Sequence, residues 1–341
     1  MIILEEETLL KQSVVDFKKN QKQRAVLSCL YQEGACTLAH LAQVVHTSIP
    51  SVTGLVEQLV DQGWINTTGT ATRHSGRRPV LFGLRPDRHY VVLVDSSTHD
   101  TSLVLVNPLR QVVYRRTVDH GLQDHAQFVT SLVEFIKESL INSAVAPSDV
   151  IAFGLAIPGL IDNRQGLNLT YPNLNPPGES LATYLERQLD LPVFIINDTK
   201  ATALGEHRFG GGRDKQHALS INIDWGVGLG IILNGEVFQG ASGFAGELGH
   251  IQVDPEGELC YCGKVGCLDT LTSASSLVRR VREAVLGGAV SQLALHQADV
   301  DQLTIGHVVE AAHQGDAFAI DMLHQTGYQL GKGLAIAINL F

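Results

Sequence analysis

Between residues 18 and 62 the apolar positions fall at helical intervals in three successive runs. The first spans Lys18 to Gln32, with Ala25, Val26, Leu27 and Leu30; the second spans Thr37 to Val45 and opens on a capping Thr37; the third spans Ser48 to Gln62. Spacings of three and four place Val52, Leu55, Val56 and Leu59 on one inward face of the third run. Short breaks at Glu33-Gly34 and His46-Thr47 give the chain helix-turn-helix spacing. Pro50 sits in the first turn of the third run, where its missing N–H costs nothing, and Ser48, Ser51 and Thr53 offer small hydroxyls to a groove edge. After Gly63, Trp64 to Asn66 and Pro79 to Phe82 read as two strands of a β-wing, joined by Thr67 to Arg78.

From His89 the period changes. Short apolar runs predict strands at Tyr90 to Val94, Ser102 to Asn107 and Val112 to Val118, then a helix from Gln123 to Asn142. Strand Val150 to Ile157, helix Gly178 to Asp190, strand Val193 to Ile196 and helix Thr199 to Phe209 follow. That βββαβαβα order demands a mixed sheet with helical crossovers. Three strands at Ala218 to Asp224, Leu229 to Leu233 and Glu236 to Gln239 repeat the opening, and helices are expected at Ala274 to Leu286, Ile305 to Gln314 and Ala317 to Leu340. The expectation is an α/β chain: a winged helix-turn-helix head over residues 1–85 and a two-lobed body over 86–341, its lobes at 86–210 and 211–341 with a cleft between them.

Charge sharpens the division. The formal net charge is −10, yet Lys18 to Arg88 holds nine Lys/Arg against four acids, leaving +5 on that segment and −15 on the remainder. A basic head on an acidic body suits a nucleic-acid-binding module joined to a metabolite-binding domain. Within the wing, Ser75-Gly76-Arg77-Arg78-Pro79 sets Arg77 and Arg78 on a Pro-restricted backbone fitted to a narrow minor groove; the bland alternative is a solvated basic loop. The N-terminus is acidic where a signal peptide is basic, and no apolar run reaches membrane-spanning length, so a cytoplasmic protein without membrane attachment is expected.

Cysteine use carries the sharpest chemistry. Cys29 and Cys36 read as buried thiols of one apolar helical segment. His250, Cys260, Cys262 and Cys267 instead lie in one short loop broken by Gly263 and Gly266. Three thiolates and an imidazole complete the tetrahedral shell of a structural Zn²⁺ and leave no position for catalytic water. The competing reading is a disulfide with a leftover thiol, but cysteines one residue apart seldom bridge.

Several motifs together identify the chain as similar to the ROK family of repressors, open reading frames and sugar kinases, in the version with an N-terminal winged helix-turn-helix. They are Ser75-Gly-Arg-Arg-Pro79, Ile157-Pro-Gly-Leu-Ile-Asp162, Asn197-Asp198, Phe244-Ala-Gly-Glu247-Leu-Gly-His250 and Cys260-Tyr-Cys262-Gly-Lys-Val-Gly-Cys267-Leu-Asp269. The resemblance implies an actin-like, hexokinase-like body with a sugar in its cleft, held by Asn197, Asp198, Glu247, His250 and Asp269. In the family's kinases the aspartate matching Asp198 is the base that takes the proton from the attacking hydroxyl. Asn197 and Asp198 equally suit a helix N-cap, and Glu247 a surface acid in a glycine-rich loop. Asp269 stands where the family usually carries the longer Glu.

The nucleotide side departs from the kinases. Where they carry an acid, two glycines and a threonine, this chain has Asp95-Ser96-Ser97-Thr98; where they carry Gly-Thr-Gly, it has Gly226-Val227-Gly228. Phosphate loops need bare backbone N–H groups, which Cβ atoms and a valine obstruct. The sequence ends at Asn339-Leu340-Phe341, where the family continues into elements that hold adenosine, so either the sequence is cut short or the nucleotide half lacks its C-terminal part. The expected function is a sugar-responsive regulator, a repressor by family habit and no enzyme, binding a two-fold operator DNA as a homodimer or tetramer and changing hinge angle on sugar binding. An active sugar kinase using Asp198, or a regulator titrated by a sugar-transport protein, are the alternatives.

Overall fold

A computed structural model of the chain describes residues 14–70, 78–122 and 125–341. The head comprises α1 (Val14–Glu33), β1 (Cys36–Thr37), α2 (Leu38–Val44), α3 (Ile49–Asp61), β2 (Ile65–Thr70) and β3 (Val80–Leu84). Thr37 caps α2 by accepting from the His40 amide at 3.3 Å, and Ser48 caps α3 by accepting from the Ser51 amide at 3.4 Å. Val52, Leu55, Val56 and Leu59 are buried against Val26, Leu30 and Leu41, the face that their spacing predicted. The wing is a three-stranded sheet of order β1-β3-β2, one strand more than expected, because Cys36 and Thr37 pair with Phe82 and Leu81. Cys36 therefore does not share a helix with Cys29. Gly34, at φ 84, turns the chain out of α1 and back onto the sheet.

The first lobe of the body runs β4 (Tyr90–Ser96), β5 (Thr101–Val106), β6 (Val112–Val118), α4 (His125–Asn142), β7 (Val150–Ile157), β8 (Ile161–Asp162), β9 (Leu167–Asn168), α5 (Leu181–Leu189), β10 (Val193–Asn197) and α6 (Asp198–Phe209). Its five-stranded sheet has the order β10-β7-β4-β5-β6, parallel from β10 to β4 and antiparallel beyond. Phe128 and Ile136 of α4 share its core with Leu103, Leu105, Phe153 and Leu155, all fully buried; each such side chain contributes about 1.5–3 kcal/mol. Register sets the site. Asp95 pairs with Ala156 and Asn197 with Ile157, so the carboxyl ends of β4, β7 and β10 open together on one edge, where α/β sheets receive ligands.

The second lobe repeats the hairpins as β11 (His217–Ile223), β12 (Val227–Leu233) and a two-residue β13 (Glu236–Val237), shorter than expected. It continues through α7 (Asp269–Thr272), α8 (Ala274–Leu286), a 3-10 run from Gln292 to Gln302, α9 (Ile305–His313) and α10 (Ala317–Leu340). The 3-10 run and the four-residue α7 had no periodic signal. Among the described residues, no helix is long and apolar enough to cross a membrane.

Head and body touch through aromatic and charged side chains. Trp64, ahead of β2, stacks on His89 with ring centroids 3.8 Å apart. Arg88, in the segment between β3 and β4 that joins head and body, pairs with Asp149 at 3.0 Å. The Arg110 guanidinium lies 5.3 Å from the Tyr31 ring of α1 and 5.8 Å from the Phe209 ring of α6.

Candidate functional site

The loop after β13 is held to β12 by a backbone bond from Leu229 to the Gly246 carbonyl at 3.0 Å, and Leu248 within the loop donates to the same carbonyl at 2.7 Å. A Cβ on Gly246 would come within 1.9 Å of the Leu229 carbonyl oxygen, so glycine is required there, beside Glu247. A 3-10 turn, Leu248–His250, then directs the imidazole toward the thiols. His250 Nδ1 lies 3.6 Å from Cys260 Sγ, Cys262 Sγ lies 3.6 Å from Cys267 Sγ, and the four ligand atoms all fall within 4.8 Å of one another. Two thiolates bound at about 2.3 Å to one tetrahedral ion lie about 3.8 Å apart, so the spacing fits. Gly266, at φ 68, passes so close to the Asp254 carbonyl that no side chain fits. These residues form a Cys3His group able to hold a metal ion.

His250 Nε2 remains turned away from the thiols. It lies 3.0 Å from the Tyr261 hydroxyl and 4.0 Å from a Glu247 carboxylate oxygen. Burial lowers the His250 pKa, which keeps the imidazole in the neutral form that ligates metals. Tyr261 was not anticipated as part of the site; its position between two cysteines of the clip was the available signal.

Asn197 ends β10 and caps α6: its Oδ1 accepts from the Lys200 amide at 3.1 Å, while its Nδ2 donates to the Gly159 carbonyl at 3.0 Å and to Asp198 at 2.9 Å. Asp198 is the first residue of α6, and its Oδ1 also accepts from the Thr199 amide at 2.7 Å. Burial raises the Asp198 carboxyl above its usual range, and Asp224 adds to the shift. Burial likewise raises Asp95, with Asp198 next among the causes, and raises Glu247 although its side chain is 41% exposed; the Lys200 ammonium counters the shift at Glu247. Lys200 is itself buried and donates to the Gly243 carbonyl. Carboxylates of both lobes therefore lie close enough to raise one another's pKa and are partly dehydrated.

The opposite wall is fixed by amides. Asn168, fully buried, donates to the Pro158 carbonyl at 3.0 Å and accepts from the Tyr171 amide at 2.9 Å, and Leu160 N donates to the Thr170 hydroxyl at 2.9 Å. Tyr171 lies close enough to Asp198 for that carboxylate to raise its pKa after burial does. Asp269 sits differently from the other acids. It is buried, and its Oδ1 accepts from the Val227 amide at 2.7 Å, tying the β11–β12 turn to the clip. Asn197, Asp198, Glu247 and His250 are thus brought near one another, and Asp269 is buried close to His250.

Residues 91–341 match the ROK family and residues 19–68 the MarR family. The DNA-binding transcriptional dual regulator NagC of Escherichia coli (strain K12), named N-acetylglucosamine repressor in other strains, is 30% identical over 338 residues, covering 96% of this chain and 79% of its own. The chain belongs to the ROK family. A ROK transcriptional regulator described as a homolog of the E. coli MLC protein superposes with a TM-score of 0.77 at 30% identity, covering 95% of this chain and 81% of that one. A ROK glucokinase from Streptomyces griseus, solved with glucose and AMPPNP, gives 0.63 at 30% identity over 74% of this chain and 80% of that one. Regulators match head and body, whereas the kinase matches the body's share.

Against that ROK background the β4–β5 turn is informative. The Ser97 hydroxyl accepts from the His99 and Asp100 amides, each at 3.0 Å, and Ser97 N donates to the Asp100 carbonyl at 2.9 Å. The Ser97 side chain thereby satisfies two amides of its own turn. Across the cleft the His99 ring meets the Trp225 ring edge-on at 4.6 Å, bringing the two phosphate-loop positions together. Val227 replaces the loop hydroxyl with a buried aliphatic side chain.

On the head, Ser48 and Ser51 are exposed, while the half-buried Thr53 donates its hydroxyl to the Ile49 carbonyl at 2.8 Å. Arg78 is exposed just ahead of β3. Arg77 lies outside the described residues.

Proposed function

We propose that this ROK protein is a sugar-responsive transcriptional regulator, most simply a repressor, that binds operator DNA through residues 1–85 and a sugar or sugar derivative through residues 86–341 without phosphorylating it. The observation that carries the reading is the β4–β5 turn: Ser97 occupies the turn amides while Asn197, Asp198, Glu247 and His250 still surround the cleft. Phosphoryl transfer depends on positioning and charge stabilisation of the phosphates, so an intact base without its cradle does not make a kinase. Asn197, Asp198, Glu247, His250 and Asp269 form the sugar side, with Asp269 acting mainly by fixing the Val227 turn. His250, Cys260, Cys262 and Cys267 hold a structural Zn²⁺, which would orient the imidazole so that Nε2 faces a sugar hydroxyl. Ser48, Ser51, Thr53, Arg77 and Arg78 meet the DNA, and a dimer presents two such heads to a two-fold site.

The MarR match over residues 19–68 and relatives named as sugar repressors support this reading. The glucokinase likeness and the buried Asp198 favour the kinase alternative. One experiment separates them. DNA fragments selected from the genome by the protein are challenged with a sugar panel, and ADP release is followed with the same sugars and ATP. The regulator reading expects one sugar class to release the DNA without ADP formation. Turnover at roughly 1 s⁻¹ or more, the ordinary kinase range, refutes it.

A further inference from the structure

The head contains a second group of metal-type donors, built from Cys29, Glu33, Cys36 and His40, whose ligand atoms also lie within 4.8 Å of one another. Their spacing is regular. Cys29 and Glu33 are one helical turn apart on α1, Gly34 reverses the chain, and Cys36 and His40 are again four residues apart across the start of α2. Both sulfurs are buried and 3.9 Å apart, close to the tetrahedral edge expected for two thiolates on one ion and close to the 3.6 Å between Cys262 and Cys267. Glu33 Oε1 lies 3.7 Å from Cys29 Sγ, and its other oxygen lies 2.8 Å from His40 Nε2. The two outer donors are half exposed, which gives an ion a way in.

We propose that Cys29, Glu33, Cys36 and His40 form a second site for a borderline divalent ion of the Zn²⁺ class, tying α1, the wing strand β1 and α2 together. Two thiolates, an imidazole and a carboxylate select such an ion over hard Mg²⁺ or Ca²⁺. The donors come from three successive elements, Cys29 and Glu33 from α1, Cys36 from β1 and His40 from α2, and β1 pairs directly with β3 of the wing. Bound metal would therefore set how the wing stands against α2 and α3, and ligation would release the thiol protons.

The test uses the full chain, purified under reductant and titrated with Co²⁺ and Zn²⁺. The clip variant Cys260→Ser/Cys262→Ser should still bind one equivalent of Co²⁺ and show a thiolate-to-cobalt charge-transfer band. Adding Cys29→Ser/Cys36→Ser should abolish both. In the otherwise native chain, Cys29→Ser/Cys36→Ser should lower metal content by one equivalent whatever the clip holds. His40→Ala, on a half-exposed ring, should weaken Co²⁺ binding in the clip variant by at least about tenfold with the far-UV circular dichroism unchanged. Equal metal content with and without Cys29 and Cys36, no charge-transfer band in the clip variant, or a Cys29–Cys36 disulfide in place of metal under reductant would each overturn the proposal.

Discussion

Asp198→Asn separates binding from stability in opposite directions. Asp198 Oδ1 accepts from the Thr199 amide at 2.7 Å and from Asn197 Nδ2 at 2.9 Å; an asparagine carbonyl in the same place keeps both bonds, so the start of α6 is preserved. The second carboxylate oxygen becomes an NH2 group, and a sugar hydroxyl that donated to it meets a donor instead. Such a lost contact costs about 1–3 kcal/mol, or roughly 5- to 150-fold in Kd. Stability moves the other way. Burial is the main cause that raises the Asp198 carboxyl in the folded protein, with Asp224 adding to it. Its contribution to stability is complete below the unfolded-state carboxylate range and is lost as pH rises through the higher folded-state value. Removing the charge should make the variant more stable than the wild type near about pH 8, with the difference vanishing toward about pH 4. Denaturant melts across that range, with sugar binding by calorimetry, give both quantities. A variant that binds sugar like the wild type, or that is less stable at high pH, refutes the assignment.

Cys262→Ser should lose the metal of the clip and lower the melting temperature, as metal analysis and thermal scans would register; unchanged stability would remove the structural role. Arg77→Ala with Arg78→Ala should lower the salt dependence of DNA binding by about one to two counterions per head in a fluorescence titration, and an unchanged slope would return the wing to a solvated loop. Trp64→Ala removes a ring stacked 3.8 Å from His89, a contact of about 0.5–1.5 kcal/mol. It should weaken the sugar's effect on DNA binding while leaving sugar affinity unchanged in the same calorimetric assay.

What could be read in advance followed from local signals. Ser48 before Pro50, and Val52, Leu55, Val56 and Leu59 at helical spacing, define α3 within the chain itself, and its observed span Ile49–Asp61 follows. The strand Val150–Ile157 was equally plain, a continuous apolar run bounded by turns. Strand β1 was not legible, since two residues carry no period and their partner Phe82 lies far along the chain. For the same reason Cys36 was assigned to a helix, and its approach to Cys29 went unseen. At the cleft, ligand types were visible but not their partners. Asp269 reads as one more acid after the clip, yet its bond to the Val227 amide joins positions 42 residues apart. Nor does Ser96-Ser97 in place of two glycines reveal that the Ser97 hydroxyl satisfies the turn's own amides.

The junction and the cleft are joined by the same two strands. β4 begins beside His89, which stacks on Trp64 of the head, and carries Asp95 just before its last residue, Ser96. β7 follows Asp149, the partner of Arg88, and ends at Ile157, directly before the Pro158-Gly159 wall. Each strand spans roughly 25 Å at about 3.3 Å per residue, and the two are paired in parallel along their length. A paired, buried sheet does not stretch, so a shift imposed at its carboxyl edge is delivered at the other edge as a rigid-body movement. Sugar-driven closure against the second lobe would act on Asp95, Pro158 and Gly159 at one end. At the other end the affected contacts are Trp64 on His89 and Asp149 on Arg88, which fix how the head is carried. Both are single side-chain contacts, weak enough to be remade by the 1–3 kcal/mol that couples typical allosteric sites. In this arrangement the sheet would act as the lever, and the head would respond through those contacts.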